Sequence, residues 1–475
     1  MKRLVRQMLA LMACLAITGC VVENTNQANK NAVPSPVATA TATASPSPSD
    51  ETAAKTELLT LPVLDAFFAD ESFSGVLKTR LQLTDEQVAK LKDLAHSETA
   101  NLNEENAGKG AGESSTARSQ ATEKIGALLG PEKTKQLAAL IGERWTGATD
   151  EGSDKTAAQP KNGPNAVPTD SRIVVNAPAY RMDVFDGGRL IKSYKVGIGY
   201  PQFPLPTGLR KAQVIIFNPT WTPPDEPWVA KMKGVNVGEK VAAGSKLNPL
   251  GPIKIPIGGP SLIHGGKSPA KLGTFASHGC VGLTTPQVQA FAKELAQLGG
   301  ASLTDAELIE YARDKTQTKQ IKLDRPVTVE LRYETIVVED GKLHIYRDVY
   351  DHETNTEENL RAVLEGNGVR LEDLTETERT QVLDALAQMS GKSGAPSVGP
   401  KETPSPVASP RSSSASEKKS NAGKKATPVA KNQKEVVIEI GALKGKGYPA
   451  PVALDTGSGK TKVALGAPPK REKQP

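Results

Sequence analysis

The sequence predicts a mostly β domain with a small α-helical N-terminal region and disordered linkers. Three observations carry that expectation. From residue 171 onward, short runs of β-branched and aromatic residues recur between turns marked by Gly and Pro. Between 61 and 146 the apolar residues recur instead at helical spacing. The 35 prolines and 42 glycines, with only 4% aromatic residues, mark much of the 475-residue chain as linker.

The N-terminus reads as an export signal. Lys2, Arg3 and Arg6 precede a short apolar run, Met8 to Ile17, which is too short to span a bilayer. The run ends in Ile17-Thr18-Gly19-Cys20, which resembles the lipobox of bacterial lipoproteins. That resemblance implies lipid modification of Cys20 after cleavage of residues 1–20. The alternative is an ordinary cleaved signal with a chance cysteine. Val21 stands where an inner-membrane retention signal would have Asp. The expectation is therefore an exported protein, lipid-anchored and facing the periplasm or cell wall, at the outer membrane where one exists.

Residues 21–60 are Asn-, Ala-, Thr-, Ser- and Pro-rich and read as a disordered tether. Within 61–146, Thr84-Asp85-Glu86-Gln87 fits a capping box, and Val88, Leu91, Leu94 and Ala95 follow at helical spacing. Residues 100–118 read as a loop. A second helical pair breaks at Gly130-Pro131. Residues 147–170 are a Gly/Asp/Pro-rich linker.

From 171 to 350 the texture is that of strands. Ile173-Val174-Val175 is a buried-type run, and residues 180–185 lead to the hairpin signal Asp186-Gly187. Strands are expected at 190–198, 214–217, 262–264, 327–333, 335–338 and 343–346. Between them, Thr285 as cap and Pro286 at the first position open a helix that ends at Gly299-Gly300. Residues 351–390 read as a polar helical segment. Residues 391–475 read as a low-complexity basic tail with one strand-like piece at 436–440.

Charge is uneven. Residues 401–475 hold 15 basic and 6 acidic side chains, so the net +6 of the chain resides in the tail and the remainder is net acidic. Outside the cytoplasm such a tail fits weak, salt-sensitive attraction to anionic wall polymers or headgroups, or serves only solubility. No cofactor, metal or nucleic-acid site is indicated. The five histidines, His96, His264, His278, His344 and His352, lack zinc-ligand spacing. Leu454 stands where a phosphate loop ending at Gly459-Lys460-Thr461 needs glycine.

Cys280 is one of three cysteines, and the other two, Cys14 and Cys20, lie in the export segment. Ser277-His278-Gly279-Cys280-Val281 surrounds it with histidine and glycine, and His264-Gly265 lies upstream. A cysteine nucleophile needs a base for its proton and backbone N–H groups for the developing oxyanion. If the segment is extended, residues i and i+2 share a face, which puts His278 beside Cys280. His264 would have to arrive from a neighbouring strand.

In order, Ile173 to Asn176, Asp186-Gly187, Pro206-Thr207-Gly208 and Asn218-Pro219-Thr220-Trp221-Thr222-Pro223-Pro224 are followed by Asn248-Pro249-Leu250-Gly251-Pro252. Leu262-Ile263-His264-Gly265-Gly266, Ser277 to Cys280 and Asp340-Gly341 with His344 complete the series. With these motifs, residues 171–350 resemble a YkuD-type L,D-transpeptidase domain of the ErfK-like sort. The resemblance implies a mostly β domain with a cysteine in a cleft and action on peptidoglycan stem peptides. It matches Cys280 to the nucleophile and His264, rather than His278, to the general base. Ser277, His278 and Gly279 match supporting positions. Gly282 departs from the pattern, which commonly has arginine there.

Overall fold

The computed structural model describes residues 59–100, 113–145, 164–225, 227–230, 232–390 and 433–457. The export signal, Cys20, the tether up to residue 58 and most of the basic tail lie outside the described residues.

Five helices form the N-terminal region: α1 (Leu61–Phe68), α2 (Glu71–Leu81), α3 (Asp85–Thr99), α4 (Glu113–Leu129) and α5 (Pro131–Trp145). The Thr84–Gln87 capping box forms as its spacing predicts, with both reciprocal bonds present at the start of α3. Helix α4 starts earlier than the sequence implied, so residues 113–118 are helical rather than loop. The polar side chains that disguised this turn are satisfied across the fold. Ser114 Oγ donates to the Pro201 carbonyl at 2.6 Å, and the Arg118 guanidinium donates to the Tyr350 and Asp351 carbonyls at 2.8 and 2.7 Å. The core of the bundle contains Phe73, Leu77, Leu91, Ile125, Leu137 and Trp145, and it also takes in Phe203 from the following β domain.

That domain is built on an eight-stranded sheet. Its strands are β1 (Arg172–Asn176), β2 (Arg181–Asp186), β3 (Arg189–Lys195), β5 (Gly208–Phe217), β6 (Ile253–Pro256), β7 (Leu262–His264), β9 (Val281–Gly282) and β10 (Lys319–Arg332). Their order is β3-β2-β1-β10-β5-β6-β7-β9, with β1 parallel to β10 and β7 parallel to β9. A separate short pair joins β4 (Ile198–Gly199) to β8 (Phe275–Ser277) in parallel. Strands β5 and β10 run well beyond their apolar stretches. The polar segment Lys319–Lys322 is held by pairing with Val214–Phe217, on the far side of a register shift in β10.

Helix α6 (Thr285–Leu298) lays Val288, Phe291, Ala292 and Leu295 against Ile215, Ile255, Ile263 and Val281 of the sheet. Its cap is Thr284, one residue before the expected Thr285, because only Thr284 has Gln287 three positions on to close the box. Helix α7 (Asp305–Arg313) starts with a similar Thr304–Glu307 box.

A third core lies C-terminal to the sheet. Strands β11 (Ile336–Glu339), β12 (Lys342–Tyr346) and β13 (Glu435–Glu439) form a small antiparallel sheet. Helices α8 (Glu357–Gly366) and α9 (Glu376–Met389) pack Leu360, Val363, Leu364, Val382 and Leu386 onto it. The Asp340-Gly341 hairpin thus packs in this module rather than in the core of the large sheet. The strand-like piece at 436–440 supplies its third strand. Beyond it the chain returns to the β domain, where the Asp455 carbonyl accepts from Lys195 N at 2.9 Å and Gln287 Nε2 at 2.8 Å.

Candidate active site

Strand β9 is the shortest in the large sheet, yet it is held on both edges. Ile263 pairs with Val281 and His264 with Gly282 on the β7 side. On the other side, Gly282 exchanges two 2.9 Å backbone bonds with Gly197. Ile263 and Val281 are fully buried in the core. Side chains alternate along a strand, so His264 and Gly282 face the opposite way. Cys280 lies just before the strand, two residues ahead of Gly282. Register thus sets His264 opposite Gly282, two residues after Cys280, although His264 and Cys280 are sixteen positions apart in sequence.

The segment before Cys280 is a turn, not the extended run that would set His278 beside the thiol. Gly279 has φ +82°, a conformation that favours glycine. Ser277 staples this turn: its Oγ accepts from Cys280 N at 3.0 Å and donates to the Cys280 carbonyl at 2.5 Å. Ser261 Oγ donates to the Gly279 carbonyl at 3.0 Å, and Tyr200 N donates to the Ser277 carbonyl at 2.8 Å. Gly199 lies directly beneath, where a Cβ would overlap the Phe203 carbonyl and come within 3.2 Å of Gly279 Cα. The Cys280 amide, a candidate oxyanion donor, is thus turned toward Ser277 in this state.

The two histidines occupy different surroundings. His264 is 4% exposed, and its Nδ1 lies 2.8 Å from the Gly265 carbonyl. The Leu250 backbone bonds the same ring. Leu250 is fixed in turn by Asn248, whose Oδ1 accepts from Leu250 N at 3.0 Å and whose amide donates to the Pro219 carbonyl at 2.7 Å. The Asn218-Pro219 and Asn248–Pro252 motifs thus converge on His264. His278 sits instead between the rings of Tyr200 and Phe203, with centroids at 5.2 and 5.0 Å. Burial, with the Lys267 ammonium adding to it, drives both imidazoles down to about 3. Both are neutral at pH 7, so each has a lone pair free of a proton.

Three residues at this site carried no sequence signal. Trp145, at the end of α5, lies over Gly279, where a Cβ would be 3.5 Å from Cη2. Lys254 faces His264 across the β6–β7 pair, and burial lowers its ammonium from the usual range. Lys267 lies across Gly282, where a Cβ would come within 2.8 Å of its Cγ. His96, His344 and His352 lie elsewhere. His96 is near Asp65 in the bundle, His344 bonds Glu435 at 2.5 Å, and His352 stacks on Tyr333 with centroids at 4.2 Å.

A thiol just before β9 and a neutral imidazole on the neighbouring β7, with a glycine turn at the thiol, suit nucleophilic attack on a carbonyl. Residues 170–328 match the YkuD family, the L,D-transpeptidase catalytic domain. This part of the chain is a YkuD-type L,D-transpeptidase domain. Among solved structures, the chain is similar to an L,D-transpeptidase from Mycobacterium smegmatis, with 13% identity, TM-score 0.19, and coverage of 34% of this chain and 58% of that one. It is similar to the catalytic domain of an L,D-transpeptidase from E. faecium, with 14% identity, TM-score 0.22, and coverage of 35% and 100%. A third, from Mycobacterium tuberculosis H37Rv, shows 12% identity, TM-score 0.19, and coverage of 34% and 57%. The chain spans a little over half the length of the two mycobacterial proteins. No curated protein matches it.

Proposed function

We propose that this chain is a peptidoglycan L,D-transpeptidase with Cys280 as nucleophile and His264 as general base. The observation that supports the reading is the parallel β7–β9 register, which pairs His264 with Gly282, two residues after Cys280. The Cys280 sulfur attacks the carbonyl of the third stem-peptide residue while the neutral His264 takes the thiol proton. The peptide bond to the terminal D-alanine breaks, its amine leaves with that proton, and a thioester remains. An amine of a second stem then attacks the thioester, giving a 3→3 cross-link and restoring the thiol. The Ser277 staple and the Gly279 turn fix the Cys280 backbone. Oxyanion donation from the backbone near 278–280 requires the Cys280 amide to turn from Ser277 as charge develops.

In this reading the chain is exported, anchored through a lipid on Cys20 and spaced from the membrane by residues 21–60. A Cys20→Ala variant should lose metabolic labelling with palmitate and partition as a soluble protein, whereas an unlabelled wild-type chain would remove the anchor.

Mass spectrometry of tetrapeptide-bearing muropeptides incubated with the chain lacking residues 1–20, beside its Cys280→Ala variant, tests the chemistry. Cysteine-dependent 3→3 dimers are expected. Tripeptide alone would make water the acceptor and the protein an L,D-carboxypeptidase. No change, with folded protein, would leave a wall-binding lipoprotein without catalysis.

A further inference from the structure

Gly282 is clamped along both backbone edges, by His264 on one side and Gly197 on the other. It cannot retreat from what lies above it. What lies above it is the stem of Lys267, so close that a Cβ at 282 would come within 2.8 Å of Cγ and 2.9 Å of Cε. The lysine backbone is fixed too. Its amide donates to the Leu283 carbonyl at 3.0 Å, while Leu283 N donates to the His264 carbonyl at 2.8 Å. The absence of a side chain at 282, two residues along the chain from Cys280, therefore makes room for Lys267 on the face that carries His264. Residues 266 and 268–270 around it are exposed, so its loop borders solvent rather than the core. Its positive charge reaches both site histidines, since it contributes to depressing each of them.

We propose that Lys267, laid across Gly282, binds a carboxylate of the donor peptide beside Cys280. The inference rests on the transpeptidase reading, in which the donor carries a carboxylate on the departing residue and commonly another on the third residue. Both lie a few bonds from the carbonyl under attack. A lysine ammonium on a flexible stem can meet either one as a point charge with three donors. Gly282 stands where the resembling family commonly has arginine, and Lys267 returns a cation to that place from a neighbouring loop.

Three donors separate the sources: the free tetrapeptide, its C-terminal amide, and the peptide amidated on the third-residue side chain. With the wild type, amidating the carboxylate that Lys267 holds should raise KM about tenfold, the loss of one charge-assisted bond. Lys267→Met, which keeps the stem over Gly282, should show that same rise with the free peptide and no further rise with the amide. Lys267→Arg should keep the discrimination. The same peptides titrated onto Cys280→Ala, with and without Lys267→Met, read affinity without turnover. If the wild type binds these peptides but forms no Cys280-dependent product, the transpeptidase reading fails while the carboxylate contact is still measured. The proposal is overturned if Lys267→Met discriminates acid from amide as the wild type does. Loss of discrimination in Lys254→Met alone would overturn it equally.

Discussion

His278 lies within two residues of the cysteine, and its ring packs against Tyr200 and Phe203. It is desolvated and uncharged. Burial puts its imidazole at about 3 in the folded chain, against an ordinary value near 6.5. Between those two values the unfolded chain takes up a proton that the folded chain refuses. The contribution is therefore fully present above pH 6.5 and is lost as pH falls toward 3. His264 adds to the same acid sensitivity. Comparing denaturant unfolding of wild type and His278→Gln across this window isolates the effect from the carboxylates. The wild type should lose stability more steeply on acidification, by at most about 1.4 kcal/mol per pH unit for one proton. Parallel curves would mean that His278 is protonated in the fold.

At the scale of elements, the chemistry of α6 shows what sequence can and cannot disclose. Its apolar face and its end at Gly299 were legible because periodicity and capping are local. Pro286 as first helical position points to Thr285 as cap, but the Thr284–Gln287 pair decides the start one residue earlier. Gln287 also does something no local rule reveals: its buried amide donates to the Lys195 and Asp455 carbonyls, tying the returning C-terminal segment to α6 and β3. Thr284→Ala should cost about 1 kcal/mol, as a lost cap does. Gln287→Ala should cost roughly twice that or more, since it also strips buried carbonyls of their donor. Equal costs in chemical denaturation would show that the C-terminal segment contributes nothing through this contact. The motif residues around Cys280 were legible for the same local reason. That His264 lies on the strand beside the one that follows Cys280 was not derivable from spacing, because it depends on which strands neighbour each other. The resemblance implied a pairing of His264 with Cys280, and the β7–β9 register sets His264 opposite Gly282.

For the whole molecule, the helical region is not simply strung before the β domain. Phe203 belongs to the β domain by sequence but is 1% exposed within the helical core, alongside Trp145. The other face of its surroundings is the turn before Cys280: its carbonyl crowds Gly199, its ring meets His278, and Trp145 covers Gly279. Thr60 and Ser114 reinforce the junction by donating to the Gln202 and Pro201 carbonyls. One short segment, residues 200–203, therefore joins the packing of the bundle to the shape of the site. Phe203→Ala should destabilise the protein by about 3–5 kcal/mol, as large-to-small core substitutions do. It should also unwrap His278, letting its titration move up toward 6.5, which histidine NMR would report. Phe73→Ala, in the same core but in contact with Phe67 and Phe68 rather than the site, should cost a similar stability and leave His278 where it is. If both variants shifted His278 equally, the bundle would act on the site through its overall stability; a shift confined to Phe203→Ala would locate the coupling in this one ring.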